Sequence, residues 1–222
     1  MFGAAMTRLP RHYPTPWERH ADFIVHMAGL ALALFGGGVA LGLAVQNGLI
    51  GRIAAIVTYA LGLIAMLAFS TAYNFARPRW QPFLRRLDHA GIFLMIAASY
   101  TPFTTQLLTG GWAWGMSIAV WALAAIGIFA KLFLPGLGKA FWVALYLILG
   151  WIVVVALRPM IREVPLAALI LLAAGGLIYS VGTIFYMMKR LPFRRAIWHG
   201  HVLTGASLHY VAVLVGVVLT AR

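Results

Sequence analysis

The 222-residue sequence contains no cysteine and only four acidic residues. Without cysteine there is no disulfide, no thiolate nucleophile and no cysteine-held metal, and the redox compartment cannot be read. Four carboxylates leave few partners for a serine–histidine–acid triad, and no nucleophile-elbow motif is present. Charge of either sign is scarce at 9% of residues, against about 25% in a soluble domain. The net charge of +13 does not point to nucleic acid, because the basic residues form no stripe interleaved with aromatics. No long repeat or low-complexity tract is visible. No cleavable signal peptide is expected, since the first 22 residues are polar and basic and the apolar run after them is too long for a signal core.

What the sequence has in excess is apolar residues, 63% of the total. They fall into seven runs, roughly 23–46, 53–75, 88–108, 112–131, 139–157, 165–188 and 197–220. Each is about twice the ten residues of a barrel strand and does not alternate, so each reads as a membrane-crossing helix. The expected fold is all-α: an integral-membrane seven-helix bundle spanning 23–222 after an N-terminal segment, 1–22. Thirteen of the seventeen lysines and arginines sit at one set of run ends. The positive-inside rule then places the N-terminus in the cytoplasm and the C-terminus outside, in an inner or plasma membrane with anionic lipids as partners. Glycine-rich stretches such as "GLALALFGGGVALGLAV" and "LLAAGGLIYSVG" read as close helix packing.

The remaining polar chemistry clusters by depth. Asp22 and His26 open the first run, Ser70 and Asn74 close the second, Asp88 and His89 open the third, and Arg195, His199 and His201 open the seventh. Ionisable groups at membrane depth are costly and mark functional sites. Asp22/His26, Ser70/Asn74 and Arg195/His199 are each four residues apart, hence on one helix face. An unpartnered Asp88 would cost about 2.5–3.5 kcal/mol at mid-helix, so it is expected to be paired or site-forming. His12 and His20 read as solvated interfacial residues, and His201 as a contact to lipid headgroups. His209, nearly three turns deeper, reads either as a buried histidine satisfied by a neighbouring hydroxyl or as a functional one.

Four stretches, "WERHADFIVHMAGLALALFG", "AFSTAYNFARP", "LRRLDHAGIFLMIAASYTPF" and "GGLIYSVGTIFYMMKRLPFRRAIWHGHVLTGASLHYVAV", resemble the hemolysin III group of the progestin and adipoQ receptor family. The resemblance implies an intramembrane zinc site near the cytoplasmic face, held by three histidines with a serine and an aspartate nearby. Carried over, the serine is Ser70, the aspartate is Asp88 and the last histidine is His199. The other two ligand positions hold Asn74 and Arg195. Asparagine is a poor zinc ligand and arginine is permanently cationic. His199 with Asp88 falls short of the usual three ligands. Two readings of Arg195 stay open: its guanidinium stands in for the metal, forking onto Asp88 and reaching Asn74 or Ser70, or it snorkels to phosphates.

The functional expectation is lipid binding or membrane homeostasis with a zinc-poor site. The alternative the resemblance implies is a zinc-dependent hydrolase of lipid amides such as ceramides, with Asp88 as base or water-orienter and Ser70 as its hydrogen-bonding partner. A haemolytic role is disfavoured, because a compact seven-helix bundle rooted by positive-inside charges has no obvious secreted or pore-forming form. A transporter is disfavoured by the scarcity of midplane charge and of broken helices.

Overall fold

The computed structural model describes residues 12–134 and 136–220. Arg8, Arg11 and Arg222, which enter the charge asymmetry, lie outside the described residues. The described residues form helices and no strand. In order these are α1 (Pro16–Gln46), α2 (Ile50–Phe75), α3 (Gln81–Gln106), α4 (Gly110–Phe133), α5 (Lys139–Gly150), a 3-10 segment (Ile152–Ala156), α6 (Leu157–Glu163), α7 (Leu166–Met187) and α8 (Arg194–Val213), which ends in a π-turn (Leu214–Val218).

Alpha 5, the 3-10 segment and α6 make one rod, so the chain forms a seven-rod bundle. Six rods are long and apolar enough to cross a membrane. The seventh, α3, has the length but is polar at both ends, with Arg85, Arg86, Asp88 and His89 at one and Thr101, Thr104, Thr105 and Gln106 at the other. It can afford this because it packs against α2, α4, α5 and α8, so protein rather than lipid surrounds much of it.

Helix α1 begins at Pro16, seven residues ahead of the first apolar run, so residues 16–22 of the expected N-terminal segment are helical. Thr15 accepts a hydrogen bond from the Glu18 backbone N–H, and Pro16 occupies the first turn, where no intrahelical donor is needed. The fifth apolar run, expected to be continuous, is broken after Gly150. The Tyr100 hydroxyl repairs the break: it donates to the Gly150 carbonyl at 2.7 Å and accepts from the Val153 N–H at 3.0 Å. Backbone groups freed at membrane depth need such partners, and a hydroxyl from a neighbouring helix supplies both. An apolar tally along the sequence cannot see this, because Gly150 and Trp151 both fit an apolar run.

The glycines let helices approach closely. A side chain at Gly175 would collide with the His209 ring, and one at Gly62 with Ala98. Gly36 lies under Tyr210, whose hydroxyl donates to the Gly36 carbonyl at 2.9 Å. Gly38 and Gly42 face open space, so only part of the first glycine-rich stretch serves packing.

Successive rods run in opposite senses, so one end of the bundle collects the starts of α1, α3, α5 and α8 and the ends of α2, α4 and α7. This end holds the polar clusters and is called the site end below.

Candidate functional site

At the site end, α1, α2 and α8 bring their polar pairs together. Asp22 is fully buried, and its Oδ1 accepts from His199 Nδ1 at 2.6 Å. His26, one turn along α1, donates Nδ1–H to the Asp22 backbone carbonyl at 2.8 Å. Because both histidines donate through Nδ1, each neutral ring presents an Nε2 lone pair. Both lone pairs meet the same hydroxyl, Ser70 Oγ, at 3.2 Å from His26 and 3.5 Å from His199. One hydroxyl proton serves one acceptor, so one imidazole is left able to accept a hydrogen bond from something else.

The second half of the site is built on Asn74. Its Nδ2 donates to the Ser70 carbonyl at 2.9 Å and toward Ser70 Oγ at 3.4 Å. Its Oδ1 accepts from Arg195 Nη1 at 3.2 Å and from His12 Nε2 at 3.0 Å. Arg195 also donates through Nη2 to His12 Nδ1 at 3.3 Å, and its guanidinium lies 5.5 Å over the Tyr13 ring. His12, expected to be solvated, is therefore tied into the site: the segment ahead of α1 folds over the site end as a strap. Tyr13 fixes it by donating its hydroxyl to Asp22 Oδ2 and stacking on Phe75. Burial lowers the His12 pKa from its ordinary 6.5, and the nearby Arg195 charge lowers it further. Burial likewise raises the Tyr13 hydroxyl above its usual 10.0.

Arg195 does not fork onto Asp88; no ion pair joins them among the described residues. Asn74 and His12 offer it two acceptors, and Asp88 instead stands 4.0 Å from His89 Nε2. Snorkelling is also incomplete, since the guanidinium turns inward to Asn74. Arg195 and Asp88 do line one cavity of about 480 Å³, together with His26, Ser70, Asn74 and His199. The cavity runs inward past Tyr146, Trp151 and Tyr179 to His209. His209 Nε2 is hydrogen-bonded at 3.2 Å to the Leu172 carbonyl, not to a hydroxyl. His201, half-buried, donates to the Ile197 carbonyl at 2.8 Å and packs on Phe185 and Gly182. His20 is exposed.

The haemolysin-III related family matches residues 20–210. The chain belongs to the haemolysin III family. Among its relatives in this family, Hemolysin-3 of Bacillus cereus is 33% identical over 92% of this chain and 94% of its own length. The Hemolysin-3 homolog of Bacillus subtilis is 35% identical over 68% and 71%. The human monocyte to macrophage differentiation factor, 30% identical over 91% of this chain and 86% of its own, extends the likeness to the progestin and adipoQ receptor relatives.

The three-histidine zinc arrangement implied for this family does not fit the residues present. A guanidinium N–H donates to the amide oxygen at the two replaced positions, so a fixed cation already stands where a dication would need neutral lone pairs. A different trio, Asp22, His26 and His199, has ligand atoms within 4.8 Å of one another. It has the number and kind of donors a zinc ion takes, although the Asp22 oxygens already accept from Tyr13 and His199.

Sequence reasoning missed the strap, because His12 and Tyr13 precede the first apolar run and carry no helical spacing. The Thr15–Glu18 capping pattern was the available signal: it fixes where α1 starts and hence where the strap must turn.

Proposed function

We propose that this multi-pass membrane protein binds a lipid in the cavity at the site end and serves membrane homeostasis without metal. The site end is proposed to face the cytoplasm in the inner or plasma membrane, as the positive-inside rule requires. The observation that carries this reading is the surplus imidazole lone pair between His26 and His199, set at the polar end of an otherwise largely apolar cavity. A lipid whose headgroup offers a hydroxyl or amide N–H would satisfy that acceptor while its chain occupies the apolar part. A cavity of this size lies in the range that small-molecule sites occupy, about 300–1,000 Å³.

The test is mass spectrometry of lipid extracted from protein purified in mild detergent. A lipid retained near one per chain, and lost in His26→Phe and His199→Phe variants, is the expected result. Retention equal to that of an unrelated membrane protein would overturn the reading. Orientation is tested separately. The chain has no cysteine, so Arg79→Cys at the site end and Gln46→Cys at the other can be labelled from outside the cell without background. Labelling of Cys at position 79 by an impermeant reagent would refute the proposed topology.

A second reading, a zinc-dependent hydrolase of lipid amides, is favoured by the Asp22, His26 and His199 trio alone. Those three residues would hold the ion, and it would supply Lewis-acid polarisation of the amide carbonyl. Asp88, in the same cavity, would orient water, with Ser70 beside it. Stoichiometric zinc together with fatty-acid release from a ceramide, both lost in Asp22→Asn, would establish this reading over the first.

A further inference from the structure

The cavity mouth at the site end is lined by Arg85, Lys131, Lys139, Arg194 and Arg195, with Asp88 as the only carboxylate among the residues lining the cavity. These cations come from α3, α4, α5 and α8, so the concentration of charge is a product of the fold. Lys131 is the most telling of them. It is 5% exposed, its ammonium lies 4.2 Å over the Trp142 ring, and it makes no hydrogen bond or ion pair among the described residues. Arg85 stands beside it as a like charge, and the Asp88 carboxylate is its one opposite-charged neighbour. Lys139 sits 3.5 Å over the Tyr186 ring and donates one hydrogen bond, at 2.5 Å, to the Tyr186 carbonyl; Arg194, Arg195 and Lys189 are its like-charged neighbours. His89, behind them, has a buried Nδ1 with no partner.

Five cations sharing one carboxylate at the edge of an apolar cavity leave most of their charge without a counter-ion, which is costly. Cation–π contact with Trp142 offsets part of the cost of partial desolvation but supplies no neutralising charge. The deficit is removed by an anion. Five cations facing a single carboxylate match a doubly charged group better than a singly charged one. Phosphate offers several acceptor oxygens to lysine and arginine donors arrayed around it. The apolar wall begins directly at Trp142 and Tyr146, so the anion belongs to a molecule with a hydrocarbon part.

We propose that the cavity mouth is a receptor for the phosphate monoester headgroup of a single-chain lipid, held by Lys131 and Lys139 with Arg85 and Arg194 around it. This rests on the lipid-binding reading and names the ligand class of that same cavity.

The experiment compares three probes on the full-length protein in nanodiscs of net-neutral phosphatidylcholine: oleoyl lysophosphatidic acid, oleoylglycerol with the same chain and no charge, and inorganic phosphate. Lysophosphatidic acid is expected to bind at least ~10-fold more tightly than oleoylglycerol, the gain typical of charge-assisted contacts. In Lys131→Gln/Lys139→Gln that ratio is expected to fall to within about 2-fold. A Lys131→Arg/Lys139→Arg variant, which keeps both charges, is expected to retain preference. Helical circular dichroism and monodisperse elution show that each variant is folded. Equal binding of the two oleoyl probes to the parent protein would overturn the phosphate assignment and leave lipid binding standing. Binding of neither would overturn both. Inorganic phosphate competing as well as lysophosphatidic acid would overturn the lipid part, and an undiminished ratio in the glutamine variant would overturn the residue assignment.

Discussion

The Arg195–Asn74–His12 junction makes a quantitative prediction. Arg195→Met keeps the aliphatic stem and removes two donors, one 3.2 Å from Asn74 Oδ1 and one 3.3 Å from His12 Nδ1. Hydrogen bonds inside membrane proteins contribute about 0.6 kcal/mol on average and up to about 1.7. Two bonds from a charged donor therefore predict a loss of about 1–3 kcal/mol. Asn74→Leu removes the shared acceptor and also strands His12 Nε2–H. The two variants touch one junction, so their effects should not add, and a coupling of about 1 kcal/mol is expected from the shared bond. The assay is equilibrium unfolding in mixed micelles by titration with a denaturing detergent, on the parent, both single variants and the double. The strap supplies an independent readout: cleavage by a protease near residues 12–15 should rise several-fold in Arg195→Met, since the variant releases one of the strap's anchors. Additive effects with unchanged cleavage would refute the junction as an energetic unit and leave Arg195 as a cation at the interface.

Three further outcomes follow from particular contacts. Neutral His12 donates from Nε2 to Asn74 and accepts at Nδ1 from Arg195; its lowered pKa means folding favours the uncharged ring. The strap's stability is thus complete above the ordinary pKa of 6.5 and is lost as pH falls below it. The groups facing His12 are Arg195, Asn74, Tyr13, Tyr73, Asp22 and His199, and of these Arg195 opposes a second positive charge most directly. Strap proteolysis should therefore rise as pH falls below about 6.5, and His12→Gln should flatten the profile. Tyr100→Phe should lower stability by about 1–3 kcal/mol in the same unfolding assay, because it leaves the Gly150 carbonyl and the Val153 N–H without their shared partner. Finally, Asn74→His/Arg195→His should bind about one zinc per chain, measured by elemental analysis after dialysis against a weak chelator; the parent should hold none at those positions.

Although α1 and α3 each start seven residues before their apolar runs because their first turns are polar, seven rods and the end that gathers polar residues were legible in the sequence. The reason is that lipid imposes length and continuity on every span, and both are properties of consecutive residues. The pairs Asp22/His26, Ser70/Asn74 and Arg195/His199 were legible for a similar reason, since four-residue spacing is local geometry. The family was legible in the motifs and is confirmed by the match over residues 20–210.

Partner choice was legible only in part: the reach of Arg195 to Asn74 was expected and is present, the fork onto Asp88 was expected and is absent among the described residues, and His12 was not foreseen. Arg195 had Asp88, Asn74, Ser70 and lipid phosphates within conceivable reach, and the fold gave it Asn74 and His12, a residue outside every apolar run. The break at Gly150 needed a hydroxyl fifty residues away on α3 to become tolerable. Lys131 and Lys139 read as ordinary inside charges until the bundle turned both toward one cavity. In each case the deciding quantity is which groups meet across helices. That depends on the rotation and tilt of packed rods, which hydropathy and spacing along a single chain do not encode.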